Sequence, residues 1–416
     1  MTRGSANNHT LSNGLRLTHR FDGDSTQVAV AVLYAAGARD EKPDKTGLAH
    51  LLEHLMFTGS ARAPRFDEEM EAAGGLNNAW TSDDFTCYHE VVPAMNVETA
   101  LWLESDRMTA LNFDPQAFEV QRKVVVEEFY QQCINNPYGT LLHAVRSLAY
   151  ERHPYSCPVI GRTPQEVEAL TLDDARDFYN SFYSPTNAVL AIAGNITFGK
   201  AKELAEKWFG NIPGRDVPRR DYRKEEPLAT NKTEVLPDNV SSILISLNFP
   251  MDGYGTEGYY AADLLTDILS SGRSSVFYRK LVDGTQLFDS VDASIHGTED
   301  PGLLSVSAML RENVDAEEAL RKVDEVLFEF ASKPVDRSRL ERTLTRMEST
   351  KVFDNLGLQQ RVQDMAVARY HNEPDGVNME PYRRLTPQRI QEEARRLFVD
   401  SKRVAVTIIP NNKKDT

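Results

Sequence analysis

Apolar residues along this chain recur with two periods, and the switches between them mark the elements. Leu11-Ser12-Asn13-Gly14-Leu15-Arg16-Leu17 alternates across an Asn-Gly turn signal, which predicts paired strands. Val28-Ala29-Val30-Ala31-Val32-Leu33-Tyr34 reads as a further strand. Gly37 and residues 40–46 predict a loop, after which Leu48, Leu51, Leu52 and Leu55 fall at helical spacing, with Asp44 or Thr46 available as a cap. A second helical run covers 66–73. Gly74-Gly75 then leads into strand patterns at 76–81 and 85–91. Helices are predicted at 97–111, 114–133, 172–182 and 198–209, with a strand at 188–193.

Residues 210–232 carry Pro213, Pro218 and Pro227 amid dense charge, which is linker chemistry. The plan then starts again: a strand at 240–249, a loop, and a helix at 258–270. The closing strand at 187–194 is echoed by 403–410. The pattern is that of an α+β chain of two repeats, each about 200 residues long. The expected division is 1–213, a linker 214–232, and 233–416.

One feature of the first repeat carries chemistry. His50-Leu51-Leu52-Glu53-His54 sets two imidazoles four apart on one helix face, where both reach a common point. Glu53, three residues after His50, can meet water held at that point. This inverse of His-Glu-x-x-His is the inverzincin pattern of metal-assisted hydrolysis. The competing reading is a polar stripe facing water. Leu48, Leu51, Leu52, Leu55 and Phe57 argue against it, because they make the segment apolar around much of its circumference. Buried imidazoles and a carboxylate need partners or a metal. In the second repeat the same place holds Ala262-Asp263-Leu264-Leu265-Thr266, so only the first can bind the ion.

Composition narrows the class. At 416 residues, 41% hydrophobic and 26% charged, the chain has the make-up of a soluble globular protein with no apolar run long enough to span a membrane. A net charge of −15 disfavours nucleic acid as a partner, since phosphate backbones need a clustered basic surface. Cys87, Cys133 and Cys157 are too widely spaced for a thiolate metal site or a disulfide framework, and buried free thiols are expected. The start, MTRGSANNHTLSNG, has no secretory apolar core and no Arg-rich amphipathic pattern, so a cytoplasmic location is expected.

Two histidines leave zinc one protein ligand short of the usual catalytic three. The helix predicted at 114–133 offers Glu119, Glu127 and Glu128, and spacing alone does not choose between Glu127 and Glu128. Here a resemblance decides. Ala49–Ser60 is similar to the active-site helix of the pitrilysin, insulin-degrading enzyme and mitochondrial processing peptidase family. The resemblance continues through Gly74–Thr81, Arg122–Glu128, His153-Pro154-Tyr155 with Gly161, and Tyr183–Ala188 with Gly194. It covers nearly the whole first half in order; the second half matches in length and layout.

The resemblance implies two tandem α/β-sandwich repeats, each a mixed, mainly antiparallel sheet packed by helices, together half of a clamshell. It implies a zinc metallopeptidase with one Zn2+ per chain, held by His50, His54 and Glu128, the last lying six residues after Arg122. Glu53 is then the general base, taking a proton from zinc-activated water and passing it to the leaving amine. The family's second Glu, seven residues before the ligand, is Gln121 here, for which an outer role beside the metal is expected. Asn78 and Ala79 fall on a strand whose edge receives the peptide in resembling enzymes. Active relatives also supply an Arg and a Tyr from their C-terminal half, and Val282 and Asp289 occupy those places here. A dimer follows, a heterodimer whose other subunit brings the Arg/Tyr pair, with a homodimer as the alternative. Two competing readings are a lyase of the autoinducer-synthesis type, whose chains are far shorter, and a non-catalytic subunit like the core proteins of the bc1 complex. The intact histidine motif counts against the second.

Overall fold

The structure is a computed structural model that describes residues 6–411 apart from 219–221 and 223. Part of the expected linker (Arg219, Arg220, Asp221, Arg223) and Met1–Ser5 of the N-terminal stretch therefore lie outside the described residues. Strands β1 to β6 are Asn7–Thr10, Arg16–Phe21, Gln27–Tyr34, Leu76–Thr81, Thr86–Pro93 and Ala188–Gly194. Strands β7 to β11 are Lys232–Asp238, Leu244–Pro250, Phe288–His296, Leu303–Leu310 and Val404–Pro410. The helices are α1 Leu48–Leu55, α2 Phe66–Ala72, α3 Val97–Thr109, α4 Pro115–Phe129, α5 Leu141–Ala149, α6 Pro164–Glu168, α7 Leu172–Phe182, α8 Phe198–Phe209, α9 Glu257–Ser270, α10 Ala316–Ala331, α11 Arg337–Asp354 and α12 Leu358–Tyr370, followed by short helical segments before β11.

Two sheets result. The first runs β1-β2-β6-β3-β5-β4 and the second β7-β11-β8-β10-β9. The repeat is plain in their wiring. In each sheet the first long strand lies parallel to the last (β2 with β6, β7 with β11), and the remaining pairs are antiparallel. The first hairpin forms as its Asn-Gly signal requires: Gly14 sits at φ 92°, and Asn13 Oδ1 accepts from the Leu15 amide at 3.2 Å.

The chain divides into two compact units that are not contiguous in sequence: 1–129, 157–222 and 350–378 in one, 130–156, 223–349 and 379–416 in the other. The continuous division at 213 and 233 follows the sheets but not the helices. In the first unit, alternate residues Ala29, Ala31 and Leu33 of β3, with Ala191 and Ala193 of β6, make a shallow apolar face. Val362, Met365 and Ala366 of α12 pack there, because small side chains let a helix approach closely. In the second unit, Val145 and Ala149 of α5 bury against Val404, Val406 and Ile408 of β11. Each sheet is thus covered by a helix from the other half of the sequence. Burying such a face is worth roughly 1.5–3 kcal/mol per large apolar side chain, ample to set the pairing.

Two smaller expectations shift. The strand predicted at 240–249 begins at Leu244, and β7, which starts at the last residue of the stretch read as linker, was not foreseen. Its residues are half-exposed or exposed in alternation and include Pro237, as befits a sheet edge. Cys87, Cys133 and Cys157 are buried and free, as expected.

Candidate metal centre

The motif helix is built from a buried side and a half-open side. Leu48, Ala49, Leu51, Leu52 and Leu55 of α1 are buried, while His50, Glu53 and His54 are partly exposed. Gly47 precedes it at φ 84°, and a Cβ there would stand 3.0 Å from the Ile160 carbonyl oxygen. Neither expected cap does the work. Asp44 is exposed, and Thr46 donates its hydroxyl to Glu166 Oε2 at 2.5 Å. Glu41 caps instead, its two oxygens accepting from the Gly47 amide at 3.0 Å and the Ala49 amide at 2.7 Å. Burial pushes the Glu41 carboxyl well above its usual range, against the pull of those two amides.

α4 brings the third group. Gln121 and Glu128, two turns apart on one face, both turn toward α1, whereas Glu127 is exposed. Glu128 Oε2 lies 3.9 Å from His50 Nε2 and 3.6 Å from His54 Nε2. One ligand atom from each of the three lies within 4.8 Å of the others, the one such cluster of His, Cys, Asp or Glu among the described residues. Four tetrahedral ligands about 2.0–2.2 Å from zinc stand roughly 3.4 Å from one another, so a small contraction would seat the ion. His54 Nδ1 stands 3.3 Å from Gln121 Oε1. A proton on Nδ1 shared with that oxygen leaves the Nε2 lone pair aimed at the cluster. His50 Nδ1 is buried with no hydrogen-bond partner among the described residues. Two imidazole nitrogens and a carboxylate oxygen are a donor set that suits zinc.

The charges are unequal. Burial, then repulsion from His54, brings His50 down to about 4, so its neutral form, the one a metal needs, prevails at neutral pH. For His54, burial works in the same direction but is outweighed by the hydrogen bond to Glu128 and the charges of Glu53 and Glu128, and its pKa is raised. Burial also raises the Glu53 carboxyl, with the Thr81 hydroxyl opposing. Thr81 donates to Glu53 Oε2 directly. Behind it Thr86, fully buried, donates to the Ala36 carbonyl at 2.9 Å and lies 3.5 Å from Thr81 Oγ1.

Thr81 and Glu41 are the working residues that sequence reasoning passed over. The signal for Thr81 was present in strand alternation, which puts Asn77, Ala79 and Thr81 on the α1 side of β4 and Trp80 on the other. Trp80 indeed donates to Gln363 Oε1 of α12 at 2.7 Å. β4 is an edge strand, with Asn78 and Ala79 paired to His89 and Tyr88 on its inner side. Asn78 Oδ1 accepts from the Ala79 amide at 2.8 Å, and neither residue joins the metal cluster. In the second unit, Val282 ends a π-helical turn, and Asp289 is exposed on β9, 3.5 Å from Arg311.

The sequence matches two family models: "Insulinase (Peptidase family M16)" over residues 21–163 and "Peptidase M16 inactive domain" over 169–347. It is 29% identical over 340 residues to the zinc protease PqqE of Helicobacter pylori, covering 80% of this chain and 76% of that one. The crystal structure of a protease from Helicobacter pylori superposes with a TM-score of 0.91 at 25% identity, over 97% of this chain and 99% of the other. The periplasmic protease PqqL from Escherichia coli shares the fold at 18% identity and a TM-score of 0.80, with this chain spanning 98% of its own length and 48% of that one.

Proposed function

Since the chain belongs to the M16 (insulinase, pitrilysin) peptidase family, we propose that it is a zinc metalloendopeptidase with one Zn2+ per chain, acting on peptides or unfolded polypeptide segments. The observation that carries this reading is the convergence of His50, His54 and Glu128 beside a Glu53 already held by a hydroxyl. A zinc ion held by those three side chains supplies positive charge that makes water at its open position acidic near neutral pH and polarises a peptide carbonyl. Glu53 accepts the proton that this water loses and returns it to the departing amine. Thr81 keeps one carboxylate oxygen engaged, leaving the other for the proton. Gln121 holds His54 in the tautomer that presents Nε2.

The free edge of β4, at Asn78 and Ala79, is where an extended peptide would add as a further strand. The second-unit residues Val282 and Asp289 cannot donate hydrogen bonds to a developing oxyanion or hold the substrate. The reading therefore includes a partner chain of the same fold that brings an Arg/Tyr pair and completes an enclosed chamber, with a homodimer as the alternative. It also includes a cytoplasmic location.

Glu53→Gln is the test. Zinc content should stay near one per chain while peptide hydrolysis falls by about 10²–10⁴; full activity in that variant would end the assignment. A zinc assay separates this reading from a non-catalytic subunit, which needs no ion. Mixing decides the partner: if the purified chain alone cleaves as fast as any complex that co-purifies with it, the heterodimer is ruled out.

A further inference from the structure

The second unit carries a concavity that the hydrolytic site does not use. A cleft of about 140 Å³ opens between α11 and the turn that follows α9. Arg339, Arg342 and Arg346 of α11 enter it from one wall, at spacings that put them on one helix face. Ser271, Ser275 and a single carboxylate, Asp267, line the facing wall.

Partner accounting shows what is missing. Arg346 is tied into the wall, donating to the Ser271 carbonyl at 2.5 Å and to Asp267 Oδ1 at 3.2 Å. Arg342 donates to the Ser338 hydroxyl at 3.0 Å, a neutral acceptor, and makes no ion pair among the described residues. The guanidinium of Arg339, a half-buried residue, makes no hydrogen bond or ion pair among the described residues. Asp336 is in electrostatic reach of Arg339 and Arg342, but its carboxylate is turned to Ser338, accepting from that hydroxyl at 2.7 Å. Three guanidiniums thus face one lining carboxylate, in a chain whose 62 acidic residues outnumber 47 basic ones. Like charges one turn apart on a helix repel, and an anion in the cleft relieves that repulsion.

We propose that this cleft binds a phosphate oxyanion, as free phosphate or as the phosphoryl group of a small monoester. The volume admits a phosphoryl group. A charge of about −1.5 to −2 near neutral pH matches the excess of guanidiniums over carboxylates. Guanidinium forks and serine hydroxyls are the donors that surround a tetrahedral oxyanion, whereas a flat carboxylate offers its acceptors in one plane.

The test is calorimetric titration of the full chain with inorganic phosphate, with phenyl phosphate and with acetate, at matched ionic strength. Saturable phosphate binding is expected. It should weaken at least tenfold in Arg339→Gln/Arg342→Gln and persist in Arg176→Gln, a surface control in the first unit. Neither substituted arginine makes an ion pair with a carboxylate among the described residues, so folding is expected to survive; an unchanged melting temperature without phosphate confirms it. Phenyl phosphate binding as well as phosphate would identify a monoester site, and its exclusion a site for the free ion. No saturable binding in the natural chain, equal binding in the double variant, or acetate binding as tightly as phosphate would each overturn the proposal.

Discussion

The helix that follows the central strand meets opposite fates in the two repeats. α1 follows β3 and α9 follows β8, at matching places in sheets of the same order. On α1 the residues His50, Glu53 and His54 stay half-open and face α4. On α9 the matching Ala262 and Leu265 are fully buried and Thr266 nearly so, while Asp263 accepts from the Tyr382 hydroxyl at 2.6 Å. One topology therefore serves two ends. Where the helix face is left partly open and a second helix aims a carboxylate at it, polar groups can gather; where the face is closed, only apolar or small residues fit.

The severest way to break this comparison is to write the motif into the wrong repeat. Ala262→His with Leu265→Glu and Thr266→His should cost about 5 kcal/mol or more, because polar groups enter a packed interior without partners. The chain should bind no second zinc, and a stoichiometry of two would refute the argument from burial. Next in size is the choice of third ligand. Glu128→Gln should weaken zinc binding more than the roughly 10–100-fold expected for an outer-shell change such as Gln121→Leu, and Glu127→Gln should change nothing. Competition with a chelator reads all three, and a loss on changing Glu127 would reverse the assignment.

A third prediction concerns how the exit of α1 is fixed. Asp106 of α3 accepts from the Ser60 hydroxyl at 2.6 Å and the Arg62 amide at 2.8 Å, besides the Arg62 guanidinium. Burial pushes its carboxyl up, but Ser60 and Arg62 outweigh it and hold it below the usual range. A folded-state value below the unfolded one gives stability that is present above the unfolded pKa and lost as pH falls through the folded one. Asp106→Asn should cost about 2 kcal/mol at neutral pH, with the gap closing below about pH 4 in urea melts. A gap that widened toward acid would show the sign to be wrong. The smallest effect is at Thr81. Thr81→Val should lower kcat about tenfold, near 1.4 kcal/mol, with KM and zinc content unchanged, and Thr81→Ser should restore it. Equal rates in the two variants would leave the hydroxyl without a role.

Much of this was legible in the residues. Strong periodicity located α1, α7, α8 and α9 to within a residue or so, since a continuous apolar stripe has one way to be buried. The pair His50 and His54 needed only helix geometry. Glu127 and Glu128 were different, because adjacent positions are equivalent until the orientation of α4 is known; the resemblance chose Glu128, and the fold turns it inward while Glu127 faces water. The capping role of Glu41 was hidden because it depends on a loop doubling back over six and eight residues, and short-range cap rules favoured Asp44 or Thr46. β7 escaped because an edge strand with a proline and no fully buried face has the composition of a linker.

By itself, then, the sequence determined most elements of the first repeat, the two-histidine grip and its intervening acid, since these are set by spacings of a few residues along a regular backbone. Only the tertiary structure decided which carboxylate caps α1, which hydroxyl holds Glu53, and that α5 and α12 each cover the sheet of the other half. The last two outcomes join residues tens to hundreds of positions apart, and they follow from which apolar faces pack most closely, a property of surfaces brought together and not of any local run of residues.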